Sequence, residues 1–183
     1  CLGVLTLSAC LQLSKTEVVE LQCCDLSQLP RFFNLMDWKT GSPITPEREG
    51  ILIQRRLAEI YGLEAGSEVE LVIGAVNKVK VKVSGIFENF IGRQVLMDSD
   101  YYEKIMDAYC WPNQYYVKLN GTDAEALDQK LSRIEGYEGM SDAASDREFF
   151  EASTSVINII VIIFMVFDSK WETNKYGPSP KYQ

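Results

Sequence analysis

The chain has 183 residues, of which 46% are hydrophobic and 24% charged, with a formal net charge of −8 and no histidine. The missing histidine excludes Ser-His-Asp and Cys-His catalysis and every histidine metal site. The acidic balance argues for no nucleic acid partner, because phosphate neutralisation needs clustered Lys and Arg. A chain of this length suits one domain, or one domain with an appendage, and folding buries roughly 70% of its unfolded surface.

Val4, Leu5 and Leu7, followed by Leu11 and Leu13, form two short apolar stretches that predict a hairpin at the start of the chain. Leu7-Ser8-Ala9-Cys10 has the outline of a lipoprotein cleavage box, although no basic residue precedes Lys15 and the apolar stretch before it is short. The five cysteines (Cys1, Cys10, Cys23, Cys24 and Cys110) contain no C-x-x-C pair. They read as small apolar residues rather than as a disulfide framework. A chain that starts at Cys1 instead of Met is expected to be a piece of something longer.

Thr16 to Leu21 predicts a strand, and Pro30, Gly41, Pro43 and Pro46 mark loop. Ile53, Leu57, Ile60 and Tyr61 fall on one face of a helix, with Gly62 placed to end it. Glu68 to Ile73 and Lys78 to Val83 both alternate, which predicts a hairpin. Its expected register pairs Ile73 with Val79, Leu71 with Val81 and Val69 with Val83, and sets Glu70 opposite Lys82. Lys78, Lys80 and Lys82 then form a solvated outer face.

Gly85-Ile86-Phe87 extends the second strand of that hairpin, and Gln94 to Met97 predicts another strand. Asp100 opens a helix, with Glu103 spaced for a capping box and Tyr102, Ile105, Met106 and Tyr109 on the apolar face. Gln114 to Leu119 predicts a strand. Thr122 and Glu125 form a second capping box before Ala124, Leu127, Leu131 and Ile134. Ser145 and Glu148 form a third, opening a helix that runs on into an apolar segment.

That segment, Val156 to Phe167, reads VINIIVIIFMVF and carries no charge. As a helix it spans about 18 Å, short of the roughly 30 Å of a bilayer core. It fits either a buried core element or the first half of a transmembrane helix, and the second reading is preferred. Asp168 to Gln183 is polar, contains Gly177, Pro178 and Pro180, and reads as a disordered tail.

No residue stands in a recognisable catalytic frame. Asp98 with Asp100, and Asp142 with Asp146, read as helix starts, where the dipole favours negative charge. Phosphate-loop, dinucleotide and calcium-loop patterns are missing from the sequence. Tyr109, Trp111, Tyr115 and Tyr116 cluster in sequence and fit either a groove lining or strand packing beside a helix end. The site residues expected are therefore none: catalytic none, cofactor-binding none, metal none.

The mixture of elements predicts an α+β fold: a mixed sheet with a central antiparallel hairpin and three to four helices, plus a protruding C-terminal apolar helix. Particular runs sharpen this. Gly50 to Leu71 contains a Leu-x-x-Gly-x-x-Val-x-Leu block at Leu63, Gly66, Val69 and Leu71. Val83-Ser84-Gly85-Ile86 follows, and then Val95 to Lys104, which ends in Tyr101-Tyr102-Glu103-Lys104. Upstream stand Asp25 to Pro30 and Asp37-Trp38-Lys39-Thr40-Gly41, and downstream Phe149 to Phe167. In this order, over residues 17–167, the chain resembles the extracytoplasmic domain (the MacB-like periplasmic core) of FtsX-like ABC transporter permeases of Gram-positive anaerobes.

The resemblance implies an extracytoplasmic α+β domain over residues 1–148, the truncated start of a transmembrane helix over 149–167, and a tail over 168–183. It implies a place on the outer side of the cell membrane and no enzymatic activity. The partners implied are the ATP-binding subunit of an ABC transporter, membrane lipid and a second permease copy, with no cofactor. The role implied is to transmit motion, or to contact cargo and partners, during export or release of lipids, lipoproteins or peptides. The alternative is a secreted or lipid-anchored binding module without catalysis. A second resemblance, through the same Leu-x-x-Gly-x-x-Val-x-Leu turn, is to small β-barrels of the double-psi and swapped-hairpin kind.

Overall fold

A long alternating strand, β1 (Leu2–Gln12), opens the fold. The computed structural model describes residues 1–74, 77–88, 93–121, 123–141, 173–174 and 177–178. The two apolar stretches at the start of the chain are one strand, not two. After a turn at Leu13-Ser14-Lys15 the chain returns as β2 (Thr16–Cys24), antiparallel to it.

A short 3-10 helix at Leu29–Arg31 leads to β3 (Ile51–Gln54), α1 (Arg55–Tyr61), β4 (Glu68–Ile73) and β5 (Asn77–Phe87). Next come β6 (Gln94–Asp98), α2 (Ser99–Met106) and β7 (Gln114–Tyr116). The mixed α+β character is as expected.

The sheet, however, has no central hairpin, because it closes. Its order is β2-β6-β3-β5-β4-β1, and β1 also pairs with β2, so six strands form a ring with β7 added on β1. Two junctions, β2–β6 and β3–β5, are parallel, and the other four in the ring are antiparallel. Closure leaves the ring without an open edge, the feature that otherwise invites edge-to-edge pairing.

Alternation along the strands sorts the apolar residues into two cores. Ala9, Leu11, Val19, Leu21, Cys23, Ile51, Ile53, Leu71, Val81, Val83, Val95 and Met97 fill the interior, continued by Leu57 and Ala58 of α1 and Tyr102 of α2. On the outer face Leu2, Val4, Cys24, Leu52, Phe87 and Leu96 meet Leu26 and Leu29. Neighbours such as Cys23 and Cys24 therefore belong to different cores. Each fully buried aliphatic side chain contributes roughly 1.5–3 kcal/mol.

In β5 the phase changes from Val81 and Val83 to Ile86. The cause is a bulge: Ile51 pairs with Val83, but Leu52 pairs with Gly85, leaving Ser84 extra.

The β4–β5 hairpin keeps the expected faces but not the expected register. Ile73 lies opposite Asn77, Leu71 opposite Val79, Val69 opposite Val81, and Glu70 opposite Lys80 rather than Lys82. A slip of two residues leaves every side chain on its own face, so hydrophobic alternation cannot distinguish the two registers. Ile73 and Asn77 are joined by residues 74–76, beginning at Gly74 with φ +67°.

The helix expected from Ile53 begins two residues later, because Ile51–Gln54 is sandwiched between β5 and β6 as a strand. A fully buried strand is apolar on both faces, which hides its period of two. Gly62 does end α1, with φ +62° and its N–H donating to the Ala58 carbonyl. In α2 the cap is Asp98, whose side chain accepts from the Asp100 N–H. Glu103 makes no capping box and instead accepts from the Cys110 N–H. Tyr109 falls beyond the helix, because Asp107 ends it with φ +49°. The strand expected over Gln114–Leu119 is shorter, since β1 offers β7 only Leu2, Gly3 and Val4.

The chain divides into two units, Cys1–Lys118 and Leu119–Gln183. The second contains α3 (Ala124–Leu131), capped by Asp123 accepting from the Glu125 N–H. Thr122, expected to cap it, lies outside the described residues. Ala124, Leu127 and Leu131 are half-buried, and Ile134 is exposed. Two-residue strands, β8 (Thr173–Asn174) and β9 (Gly177–Pro178), pair antiparallel within the segment expected to be a tail. The Ser145–Glu148 capping box, Asp142, Asp146 and the protruding helix over 149–167 lie outside the described residues. Among the described residues no helix is long and apolar enough to cross a membrane.

Candidate functional site

Closing the ring buries most apolar strand side chains; Val18 of β2 and Ile60 of α1 stay exposed singly, whereas aromatic exposure gathers in one stretch of chain. That stretch holds Tyr109, Trp111 and Tyr115, at 65%, 72% and 60% exposure. All three lie on the α2–β7 connection or on β7 itself.

This connection is held against β1 rather than hanging free. The Asn113 N–H donates to the Val4 carbonyl at 3.0 Å. The Thr6 N–H donates to Asn113 Oδ1, and Asn113 Nδ2 donates to the Thr6 carbonyl, each at 2.8 Å. Thr6 Oγ1 donates to Gln114 Oε1 at 3.0 Å. Gly3 admits Pro112, since a Cβ there would stand 3.0 Å from the proline Cβ. At the helix end, the Cys110 N–H donates to Glu103 Oε1 at 2.9 Å. On this support Tyr109 and Trp111 pack ring to ring, with centroids 4.7 Å apart at 49°.

Tyr116 parts from the aromatic cluster to which its sequence position assigned it. It turns inward, meets Phe33 edge-on at 4.7 Å, and donates from its hydroxyl to Gln22 Oε1 at 3.0 Å. Burial pushes its phenol pKa up. The four aromatics thus divide into one packing residue and three that face solvent.

The Asp98–Asp100 pair is structural, as expected. Asp98 is 2% exposed and accepts from the Asp100 N–H at 3.1 Å and the Leu26 N–H at 3.2 Å. Asp100 faces Arg48 at 3.4 Å on the surface. Asp98 lies opposite Cys24 in the β2–β6 pairing.

A further polar group was not foreseen. Glu17 accepts from the Tyr61 hydroxyl and pairs with Arg93 at 2.8 Å. That hydrogen bond to the carboxylate holds the Tyr61 phenol pKa up. Glu17, Tyr61 and Arg93 line a cavity of about 50 Å³ with Gln54, Arg56, Leu57 and Ile60. Such a space suits water and is well below the roughly 300 Å³ of a small-molecule site. No local motif announces this group, because residues 17, 61 and 93 meet only when the ring closes. Among the described residues no cluster of three or more Cys, Asp or Glu is placed to hold a metal ion.

No family model matches the sequence, and no curated protein matches it. Solved structures do. The extracellular domain of the noncanonic ABC-type transporter YknZ from Gram-positive bacteria is 15% identical, with a TM-score of 0.52 over 76% of this chain and 80% of that one. The periplasmic region of MacB from Actinobacillus actinomycetemcomitans is 14% identical, with a TM-score of 0.51 over 82% of this chain and 74% of that one. At such identities the likeness is one of fold. The chain has the fold of the extracytoplasmic domains of ABC-type transporters, as the order of its sequence motifs implied.

Proposed function

We propose that this chain is the extracytoplasmic domain of an ABC transporter permease, lying on the outer side of the cell membrane and performing no catalysis. The observation that carries the reading is the match to the YknZ extracellular domain over 76% of this chain and 80% of that one. The ordered motifs from Gly50 to Lys104 support it independently of the coordinates. On this reading an ATP-binding subunit across the membrane supplies the energy, and residues 149–167 begin the helix that leads into lipid.

The closed ring suits the transmission of motion. Its backbone pairing is complete around the circle and its interior is packed, so it moves as one body instead of bending. Tyr109, Trp111 and Tyr115 form the face through which it contacts cargo or a partner, because exposed Trp and Tyr on a fixed support are effective binding anchors. The cargo class proposed is a lipid, lipoprotein or peptide. A lipid anchor on Cys10 is the weaker reading: Cys10 sits in mid-strand opposite Val18 and Val72, and cleavage before it would strip Leu2 and Val4 from the core.

The test is fractionation of cells producing the natural full-length protein, followed by protease added outside intact cells. The expected result is recovery in the membrane fraction, with this domain digested from outside. Recovery in the cytosol, protected from the protease, would overturn the proposal.

A further inference from the structure

Three of the five cysteines lie near one end of the ring. Cys23 and Cys24 end β2, and Cys110 follows α2. Strand alternation sends Cys24 to the outer core and Cys23 to the inner one, where Cys110 packs against the same cluster. Cys110 Sγ donates to the Cys23 carbonyl oxygen at 4.0 Å, so the Cys110 side chain lies against Cys23 itself. Cys110 is fixed there by its N–H, which donates to Glu103 Oε1. Cys23 is fully buried, and Cys110 is half-buried.

We propose that Cys23 and Cys110 are a dithiol pair that closes to a disulfide by exchange with a small-molecule disulfide. The partly exposed Cys110 reacts first. Its thiolate attacks one sulfur of the incoming disulfide, forms a mixed disulfide and expels one thiolate. The Cys23 thiol then loses its proton and attacks Cys110 Sγ, expelling the second thiolate. Two cysteine thiols are oxidised, one small disulfide is reduced to two thiols, and both protons end on the products. The two thiol environments agree with this order. The neighbouring Cys23 side chain holds the Cys110 pKa down, while the same contact and burial push that of Cys23 up.

The bond joins positions 87 apart in sequence and pins the α2–β7 connection to β2. Cross-links over long loops constrain the unfolded chain most. The chemistry stands apart from the transporter reading and is tested on the purified chain alone.

The reduced, folded chain is incubated with oxidised glutathione, quenched with iodoacetamide, digested and mapped by mass spectrometry. The expected product is a Cys23–Cys110 cross-linked peptide that dithiothreitol abolishes. Cys24→Ser is expected to form it as fast as the unsubstituted chain, and Cys110→Ser not at all. The melting temperature of the oxidised chain is expected to rise by about 10 °C. Glutathione left on Cys110 without a cross-link, a cross-link from Cys110 to Cys24 in place of Cys23, or an oxidised chain that melts below the reduced one would each overturn the proposal.

Discussion

The Asn113 side chain completes the backbone pairing of Thr6. Its amide oxygen accepts from the Thr6 N–H and its amide nitrogen donates to the Thr6 carbonyl, both at 2.8 Å. A primary amide offers the same donor and acceptor as a peptide unit. Asn113 therefore acts as one more strand residue where β7 has not yet begun, and it seats the aromatic connection on β1.

Asn113→Ala removes both bonds and is expected to cost about 1–2 kcal/mol, measured by urea unfolding. Asn113→Asp keeps the acceptor but turns the donor into a second acceptor facing the Thr6 carbonyl. It is expected to cost at least as much as the alanine. An aspartate variant as stable as the unsubstituted chain would show that only the Thr6 N–H bond matters.

Gly50 stands where the chain enters β3, with φ +96°, and a Cβ there would lie 2.5 Å from the Lys82 carbonyl oxygen. That contact is with backbone and cannot be relieved by rotating a side chain. Gly50→Ala is expected to cost about 2–3 kcal/mol or more. Gly41 also has positive φ, at +65°, but has nothing within 4 Å. Gly41→Ala is expected to cost only about 1 kcal/mol. Thermal unfolding of the two variants separates steric exclusion from conformational preference.

What was legible in the sequence was local. Gly62 ended its helix, the alternation of Val69, Leu71 and Ile73 fixed their face, and Asp98 with Asp100 marked a helix start. What was not legible depended on partners far along the chain. The parallel pairing of β2 with β6 sets Leu21 beside Val95, and no property of either residue announces it. Ile53 satisfied a helical face by spacing, yet strands on both sides claimed it. The exposed aromatic face was only half visible. Tyr109, Trp111, Tyr115 and Tyr116 were evident as a cluster, but the stop at Asp107 and the grip of Asn113 on Thr6 decide which of them face solvent.

Asp25 makes part of the stability dependent on pH. The Ser27 hydroxyl and the Gln28 side-chain amide donate to its carboxylate and hold its pKa below the ordinary 3.8. A carboxyl depressed in the folded state stabilises it fully above the unfolded pKa, and that stability is lost as pH falls through the folded value. The stability gap between the unsubstituted chain and Asp25→Asn is therefore expected to be constant from neutral pH down to about 5 and to narrow below about 4. Urea midpoints measured across that range decide it. A gap that widens on acidification would mean that Asp25 is not held in its charged form.

The exposed aromatic pair separates contact from stability. Tyr109 and Trp111 are 65% and 72% exposed, so little of their area is buried on folding. Replacing both by Ser is expected to change stability by no more than about 1 kcal/mol. On the proposed function, their environment should change instead on assembly into a transporter. In a Trp38→Phe, Trp171→Phe background, Trp111 is the remaining indole, and acrylamide should quench it readily in the isolated chain. In the assembled, membrane-bound transporter, with any tryptophan elsewhere in it also replaced by Phe, the quenching should fall several-fold as a partner or cargo covers the ring. Equal quenching in both states, with cargo present, would remove this face from the transport reading and leave the closed ring as a transmitter of motion alone.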